Sequence, residues 1–277
     1  MNYNFLIIGG DGRIASLAKL LKKDGNNVKT YANEIKDMDI EELETLEKLK
    51  EECEKSDILI SSIPLSKDGI NVYSPNSNKK ITIQTLKEIA KDKKLIAGKL
   101  DGKLEGFDAL EDEALTILNT IPTAEGAIQV AMEETTYTLN EMNVLVLGFG
   151  RVGKILSYKL KNLGANVYTE ARKETDLAWI KAYEYKPIDL KDLNNSLCKI
   201  DIVFNTIPVK ILDKSRLILM SSDALIVDLA SYPYGVDFEV ANKLGIKTII
   251  ASALPGKVAP DTAAIYIKDY VYRVLNK

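Results

Sequence analysis

The stretch Val144-Leu145-Val146-Leu147-Gly148-Phe149-Gly150-Arg151-Val152-Gly153 sets three glycines at the joint between an apolar run and an amphipathic pattern. The apolar run over Asn143 to Leu147 predicts a strand, and the spacing from Arg151 to Leu163 predicts a helix. In that context the three glycines differ in what they allow. The first permits a tight turn, the second lets a ligand approach the backbone, and the third lets helix and strand pack closely. Backbone amides at the start of such a helix, helped by its dipole, bind phosphate. Gly148, Phe149, Gly150, Arg151, Val152 and Gly153 are therefore expected to form a dinucleotide-binding loop.

Working outward, the chain repeats itself. Phe5-Leu6-Ile7-Ile8-Gly9 matches Val144-Leu145-Val146-Leu147-Gly148, and Gly25-Asn26-Asn27-Val28 matches Gly164-Ala165-Asn166-Val167, both at an offset of 139 residues. Asp57-Ile58-Leu59-Ile60-Ser61-Ser62-Ile63-Pro64 matches Asp201-Ile202-Val203-Phe204-Asn205-Thr206-Ile207-Pro208 at an offset of 144. Short β-branched runs alternate with helical stretches throughout, the rhythm of βαβ units. The expected architecture is α/β, two tandem Rossmann-like domains with parallel sheets and a cleft between them. The boundary is expected at 140/141, giving an N-terminal substrate or partner domain with a degenerate glycine loop and a C-terminal dinucleotide-binding domain. Pro122 to Tyr137 is expected to be a helix crossing between domains. A final helix over Ala263 to Leu275, preceded by Pro260, is expected to pack back on the first domain.

The type of nucleotide is decided just past the next strand, Asn166 to Thr169. There Glu170 could accept from a ribose hydroxyl, or Arg172 and Lys173 could hold a 2′-phosphate. Two adjacent cations form a charge clamp that NADP needs and NAD does not, so NADP is favoured. Thr206, Ile207 and Pro208, at the carboxyl edge of the predicted sheet, are expected to line the nicotinamide half. The copy of the turn in the first domain reads Gly9-Gly10-Asp11-Gly12-Arg13, interpreted as carrying one inserted residue with Ala15 in the place of the third glycine. Asp11 puts a carboxylate where pyrophosphate would sit, which disfavours a second dinucleotide. Either Arg13 binds a substrate carboxylate, or it makes an internal pair with Asp11 that only shapes the turn.

Composition narrows the chemistry further. The 277 residues carry 37 Lys+Arg against 40 Asp+Glu, which leaves no basic excess for nucleic acid. Only two cysteines, Cys53 and Cys198, are present, and neither has a metal-ligand neighbour, so no metal is expected. No apolar run is of membrane-spanning length and the N-terminus does not read as a signal peptide, so a cytoplasmic protein without a membrane partner is expected. With no histidine anywhere, proton transfer falls to Lys, Asp, Glu, Tyr, Cys, backbone or water.

Five segments carry a family resemblance: Gly9-Gly10-Asp11-Gly12-Arg13, Ile121-Pro122-Thr123-Ala124-Glu125-Gly126-Ala127, Val144 to Arg151, Asp228-Leu229-Ala230-Ser231, and Leu254-Pro255-Gly256-Lys257-Val258-Ala259-Pro260 with Thr262-Ala263. In that order they resemble the dipicolinate synthase A subunits, with a departure at Tyr232-Pro233-Tyr234-Gly235, where a more glycine-rich turn is expected. The resemblance implies an NADP-dependent oxidoreductase that makes pyridine-2,6-dicarboxylate from dihydrodipicolinate, itself derived from 4-hydroxy-tetrahydrodipicolinate. It also implies a partner, a flavoprotein-like B subunit, and a place in the mother cell of a sporulating bacterium. Gly10, Asp11, Arg13 and Thr123 are then expected to bind a small dicarboxylate substrate, and Glu125, Ser231 and Lys257 are the catalytic candidates. For Glu125 and Lys257 the plainer alternatives are a helix-start carboxylate and an exposed lysine, and Asp228 is read first as structural. Other functions that fit the residues are a shikimate-type or methylene-tetrahydrofolate-type dehydrogenase, and a regulatory module that binds NADP without turnover.

Overall fold

The computed structural model describes residues 2–35 and 39–276. Chain contacts divide it into two units: one runs to Asn119 and resumes at Pro255, and the other spans Thr120–Leu254.

Unit 1 runs β1 (Asn4–Ile8), α1 (Gly12–Lys23), β2 (Asn27–Tyr31), β3 (Glu41–Glu42), α2 (Leu46–Lys55), β4 (Ile58–Ser61), α3 (Ile83–Ile89), β5 (Lys94–Ala97), β6 (Phe107–Asp108) and α4 (Glu113–Leu118). Its sheet is parallel in the order β3-β2-β1-β4-β5-β6. Unit 2 runs α5 (Thr120–Glu134), β7 (Asn143–Leu147), α6 (Arg151–Asn162), β8 (Asn166–Ala171), α7 (Glu174–Ala182), β9 (Lys186–Asp189), β10 (Ile202–Asn205), α8 (Lys214–Leu217), β11 (Leu225–Asp228), α9 (Phe238–Lys243) and β12 (Lys247–Ile250). Its sheet has the order β12-β11-β10-β7-β8-β9. Counted within each unit, both orders are 3-2-1-4-5-6, the doubly wound Rossmann arrangement. The order reverses between β1 and β4 in unit 1 and between β7 and β10 in unit 2, and ligands bind such sheets at the carboxyl ends of those strands.

The strands follow from burial on both faces. Phe5, Leu6, Ile7 and Ile8 are all buried, and alternation sends Phe5 and Ile7 into one apolar cluster and Leu6 and Ile8 into the other. The last two helices, α10 (Leu254–Val258) and α11 (Pro260–Leu275), follow β12. Pro260 opens α11, a position where its missing amide costs nothing. Within unit 1, α11 packs on α1 and places Ala264, Ile267, Val271 and Val274 in the cluster that holds Ile14, Leu17 and Leu21. Ser16 on α1 donates to Asp261 at 2.5 Å, and Asp24, just past α1, accepts from Lys268 at 2.8 Å and from Tyr272 at 3.0 Å.

The division between units falls at Asn119/Thr120 and not at 140/141. The reason is α5: its small buried residues Ala124, Ala127 and Ala131 let it lie close on α6 and β11, so it belongs wholly to unit 2. The drift in the repeat offset also has a local cause. It arises between the second and third strands of each unit, where unit 2 carries α7 (Glu174–Ala182): the offset is 139 at Lys29 and Tyr168, already 145 at their sheet neighbours Glu41 and Lys186, and 144 at Ile58 and Ile202.

Candidate functional site

The turn from β7 to α6 is built as its three glycines dictate. Gly148 has φ +95°, and a side chain there would meet Thr206 Oγ1 at 2.6 Å and Ile207 Cγ1 at 3.0 Å. Gly153 lies directly under the Gly148 carbonyl, so a β-carbon there would overlap backbone. Gly150 is different, since nothing lies within 4 Å of where its side chain would be. It is also the N-cap of α6 and has no side-chain oxygen to offer, so the helix start has no side-chain cap at this position. Phe149 is buried at 6% exposure, Arg151 is exposed and Val152 half-buried.

At the end of β8, the side chains of Arg172 and Lys173 are exposed and make no hydrogen bond or ion pair among the described residues. Glu170 is buried at 1%, and neither carboxylate oxygen has a hydrogen-bond partner. Burial pushes its carboxyl up, against the pull of the Gly148 amide and of the Arg172 and Arg216 charges. The amide of Gly148 lies toward it without completing a hydrogen bond. Thr206 donates to the Leu147 carbonyl at 2.7 Å, so Thr206 and Ile207 continue the wall beside Gly148, and Pro208 follows them, exposed.

The turn in unit 1 has the same path and different chemistry. Asp11 is the N-cap of α1 and Gly150 the N-cap of α6, and the two positions keep the unchanged offset of 139. No residue is inserted, then, and Ile14 rather than Ala15 stands opposite the third glycine. Its bulk is accommodated by Gly10, where a side chain would meet Ile14 Cβ at 2.5 Å. Asp11 accepts from the backbone amide of Arg13 at 3.1 Å, taking the place where an anion would bind. Arg13 closes the alternatives left open by its sequence: it donates to Asp11 through Nε at 3.0 Å and Nη2 at 2.8 Å, and Nη2 also donates to the Ile63 carbonyl. With Arg13 and Asp11 at 8% and 9% exposure, this is an internal pair that shapes the turn. Over it lies a segment of the same unit, since Gly10 donates to the Tyr73 carbonyl at 2.8 Å and a side chain at Gly9 would meet Val72 Cγ1 at 2.7 Å.

Two candidates far apart in sequence meet here. A side chain at Gly256 would touch Asp11 Oδ2 at 3.1 Å and Arg13 Nε at 3.5 Å, so exposed Lys257 stands beside the Asp11–Arg13 turn. In unit 2, Glu125 sits on the exposed side of α5 and pairs with Lys159 of α6 at 2.7 Å. Lys159 lies roughly 12 Å along α6 from Arg151 at 1.5 Å per residue. This geometry fits a helix-surface carboxylate and not a proton acceptor at the glycine loop. Thr123 is half-buried on α5 and Ser231 is exposed after β11. Gly256, Asn205 and Gly235 were not among the sequence candidates; a polar residue closing an otherwise apolar strand was the available signal for Asn205. No helix among the described residues is long and apolar enough to cross a membrane.

Comparison with known proteins gives a consistent picture. Residues 4–119 match the N-terminal domain of the dipicolinate synthase A subunit, and residues 120–233 match the NAD-binding domain of the D-isomer-specific 2-hydroxyacid dehydrogenases. The A subunit of dipicolinate synthase from Bacillus subtilis (strain 168) is 41% identical over 165 residues, which cover 60% of this chain and 56% of that one. The solved structure of the dipicolinate synthase A subunit from Bacillus halodurans superposes with a TM-score of 0.88 at 28% identity, covering 99% of this chain and 98% of the other. That of the Bacillus subtilis A chain superposes with a TM-score of 0.84 at 29% identity, covering 100% and 96%. A dehydrogenase-type domain for a nicotinamide dinucleotide thus follows a domain of the A-subunit type, and in sequence and fold the chain is a relative of the dipicolinate synthase A subunits.

Proposed function

We propose that the chain is an NADP-dependent oxidoreductase, the A subunit of a dipicolinate synthase, acting with a flavoprotein-like B subunit in the mother-cell cytoplasm of a sporulating bacterium. Its substrate is dihydrodipicolinate, formed from 4-hydroxy-tetrahydrodipicolinate, and its product is pyridine-2,6-dicarboxylate. The observation that carries this reading is the uncapped start of α6 at Gly150, in a chain whose other half matches the A-subunit domain.

The residues present fit the cofactor. The amides of the Gly148 to Gly153 turn are suited to its pyrophosphate, and the backbone of Thr206, Ile207 and Pro208 to its nicotinamide half. Exposed Arg172 and Lys173 suit a 2′-phosphate, while the carboxylate oxygens of Glu170 are shielded from a ribose. Bound there, the cofactor would supply a hydride acceptor for oxidation of the dihydropyridine ring. Within unit 1, Lys257 supplies a cation for a substrate carboxylate beside the Asp11–Arg13 turn, whose shape Gly10, Asp11 and Arg13 set. Aromatisation supplies the driving force, so orientation matters more than a strong base, and the ring proton leaves to water.

The test follows NADPH absorbance with dihydrodipicolinate, with and without the B subunit, using NADP⁺ and NAD⁺ in parallel. The expected result is turnover that requires the dihydro substrate and prefers NADP⁺. Turnover of a shikimate-type or methylene-tetrahydrofolate-type substrate instead, or tight NADPH binding with no turnover in any combination, overturns it.

A further inference from the structure

At the carboxyl ends of β10 and β11, Asn205 and Asp228 are register partners in the sheet and both are fully buried. A carboxamide and a carboxylate at 0% exposure are costly unless every polar atom is matched. Here they are matched in a particular way. Asn205 Nδ2 donates to Asp228 Oδ1 at 3.0 Å and to the Ile207 carbonyl at 3.0 Å, and Asn205 Oδ1 accepts from the Ile207 amide at 3.2 Å. Asp228 Oδ1 accepts from the Ala230 amide at 2.9 Å, and Oδ2 accepts from the Gly235 amide at 3.0 Å.

Apart from the bond between them, all of these bonds go to backbone in the two loops that follow the strands. One pair of side chains therefore sets the shape of residues 206–208 and of residues 230–235 together. Gly235 is required by the closeness of the fit, because a side chain there would overlap the Asn205 amide and meet the Ile207 carbonyl at 2.7 Å. The link reaches the glycine loop as well. Thr206, next in chain to Asn205, occupies the space that a side chain on Gly148 would need.

We propose that Asn205 and Asp228 form a positioning pair, holding the nicotinamide-side loops of unit 2 in the geometry for hydride transfer while leaving the pyrophosphate grip to the Gly150 turn. This rests on the function proposed above. The pair touches neither the first-turn amides of α6 nor Arg172 and Lys173, so its loss should act on turnover and not on cofactor affinity.

Asn205→Ala is the test, read by three measurements on the full chain with its B subunit: NADPH affinity by fluorescence titration, kcat and KM, and hydrogen exchange of the Ile207, Ala230 and Gly235 amides. The expected result is exchange at those amides faster by at least about tenfold, a kcat lower by on the order of 10–100-fold, and an NADPH Kd within about threefold of wild type. Unchanged exchange, unchanged kcat, or a loss of NADPH affinity as large as the loss of kcat overturns the proposal. Asn205→Asp keeps the side-chain shape and serves if the alanine variant does not fold; failure of both to fold makes the pair a stability element and overturns it too. Should wild type bind NADPH and protect these amides yet oxidise no dihydrodipicolinate, the proposed substrate fails, while the exchange and affinity measurements still report on the pair.

Discussion

Asp11 and Gly150 occupy the same place in two copies of one turn and do opposite things. A carboxylate at the N-cap satisfies the helix start from within, and a glycine leaves it bare for an anion. Arg13 then belongs to the fold of unit 1. Arg13→Ala would leave Asp11 buried without its counter-charge, and is expected to lower unfolding stability by about 3–5 kcal/mol, measured by urea denaturation; a change under about 0.5 kcal/mol would show the pair to be dispensable. Glu170 carries a second prediction. Its folded-state carboxyl binds a proton more tightly than the unfolded one because burial disfavours the charge. The cost of burying its charge is therefore absent at acid pH, where both states are protonated, and stability falls as pH rises from the ordinary glutamate range to the raised value. Glu170→Gln removes that dependence, so its Tm should exceed wild type by roughly 2–4 °C at neutral pH and match it near pH 4. An advantage that is flat with pH would contradict this origin.

Elements were legible from sequence where one signal dominates. The β-branched runs became β1, β4, β7 and β10, and α6 starts at Arg151 as its glycines require. Misreadings arose where contacts span long stretches of chain. An assumed one-residue insertion puts Ala15 at the third glycine, whereas the caps of α1 and α6 show Ile14 in that place. The partners of Arg13, Ile63 and the Gly256 turn, lie too far along the chain for any local pattern to indicate. Likewise α5 reads as a linker helix by position, and only its small-residue face on α6 assigns it to unit 2. The final helix, α11, makes the clearest case for tertiary packing: Ile267 is 2% exposed among Leu17, Leu21 and other core residues of unit 1. Ile267→Ala should cost about 2–5 kcal/mol by chemical denaturation, and a loss below about 1 kcal/mol would mean that α11 is only loosely attached. Its Asp24–Lys268 contact adds a weaker, acid-labile part. Hydrogen bonding from Lys268 holds the Asp24 carboxyl below its ordinary range, so this contribution is present above that range and is lost as pH falls through the lowered value.

For the whole molecule, two Rossmann-like units of the same strand order have diverged in what their turns accept. Unit 2 keeps three glycines and a helix start without a side-chain cap, with exposed Arg172 and Lys173 at the end of the next strand. Unit 1 fills the corresponding places with Asp11, Ile14 and the Val72–Tyr73 segment, and its helix start is capped by a carboxylate that disfavours a pyrophosphate. The central claim is thus one nicotinamide dinucleotide per chain, held by the Gly150 turn. Calorimetric titration with NADPH, on wild type and on Gly150→Asp, tests it most directly. The substitution gives unit 2 the cap residue of unit 1 at a position where a side chain meets nothing within 4 Å, so the fold should persist. The account predicts one site per chain in wild type and at least about a hundredfold weaker binding in the variant, the loss of charge-assisted phosphate contacts; two sites in wild type, or a single site that survives Gly150→Asp, would contradict it.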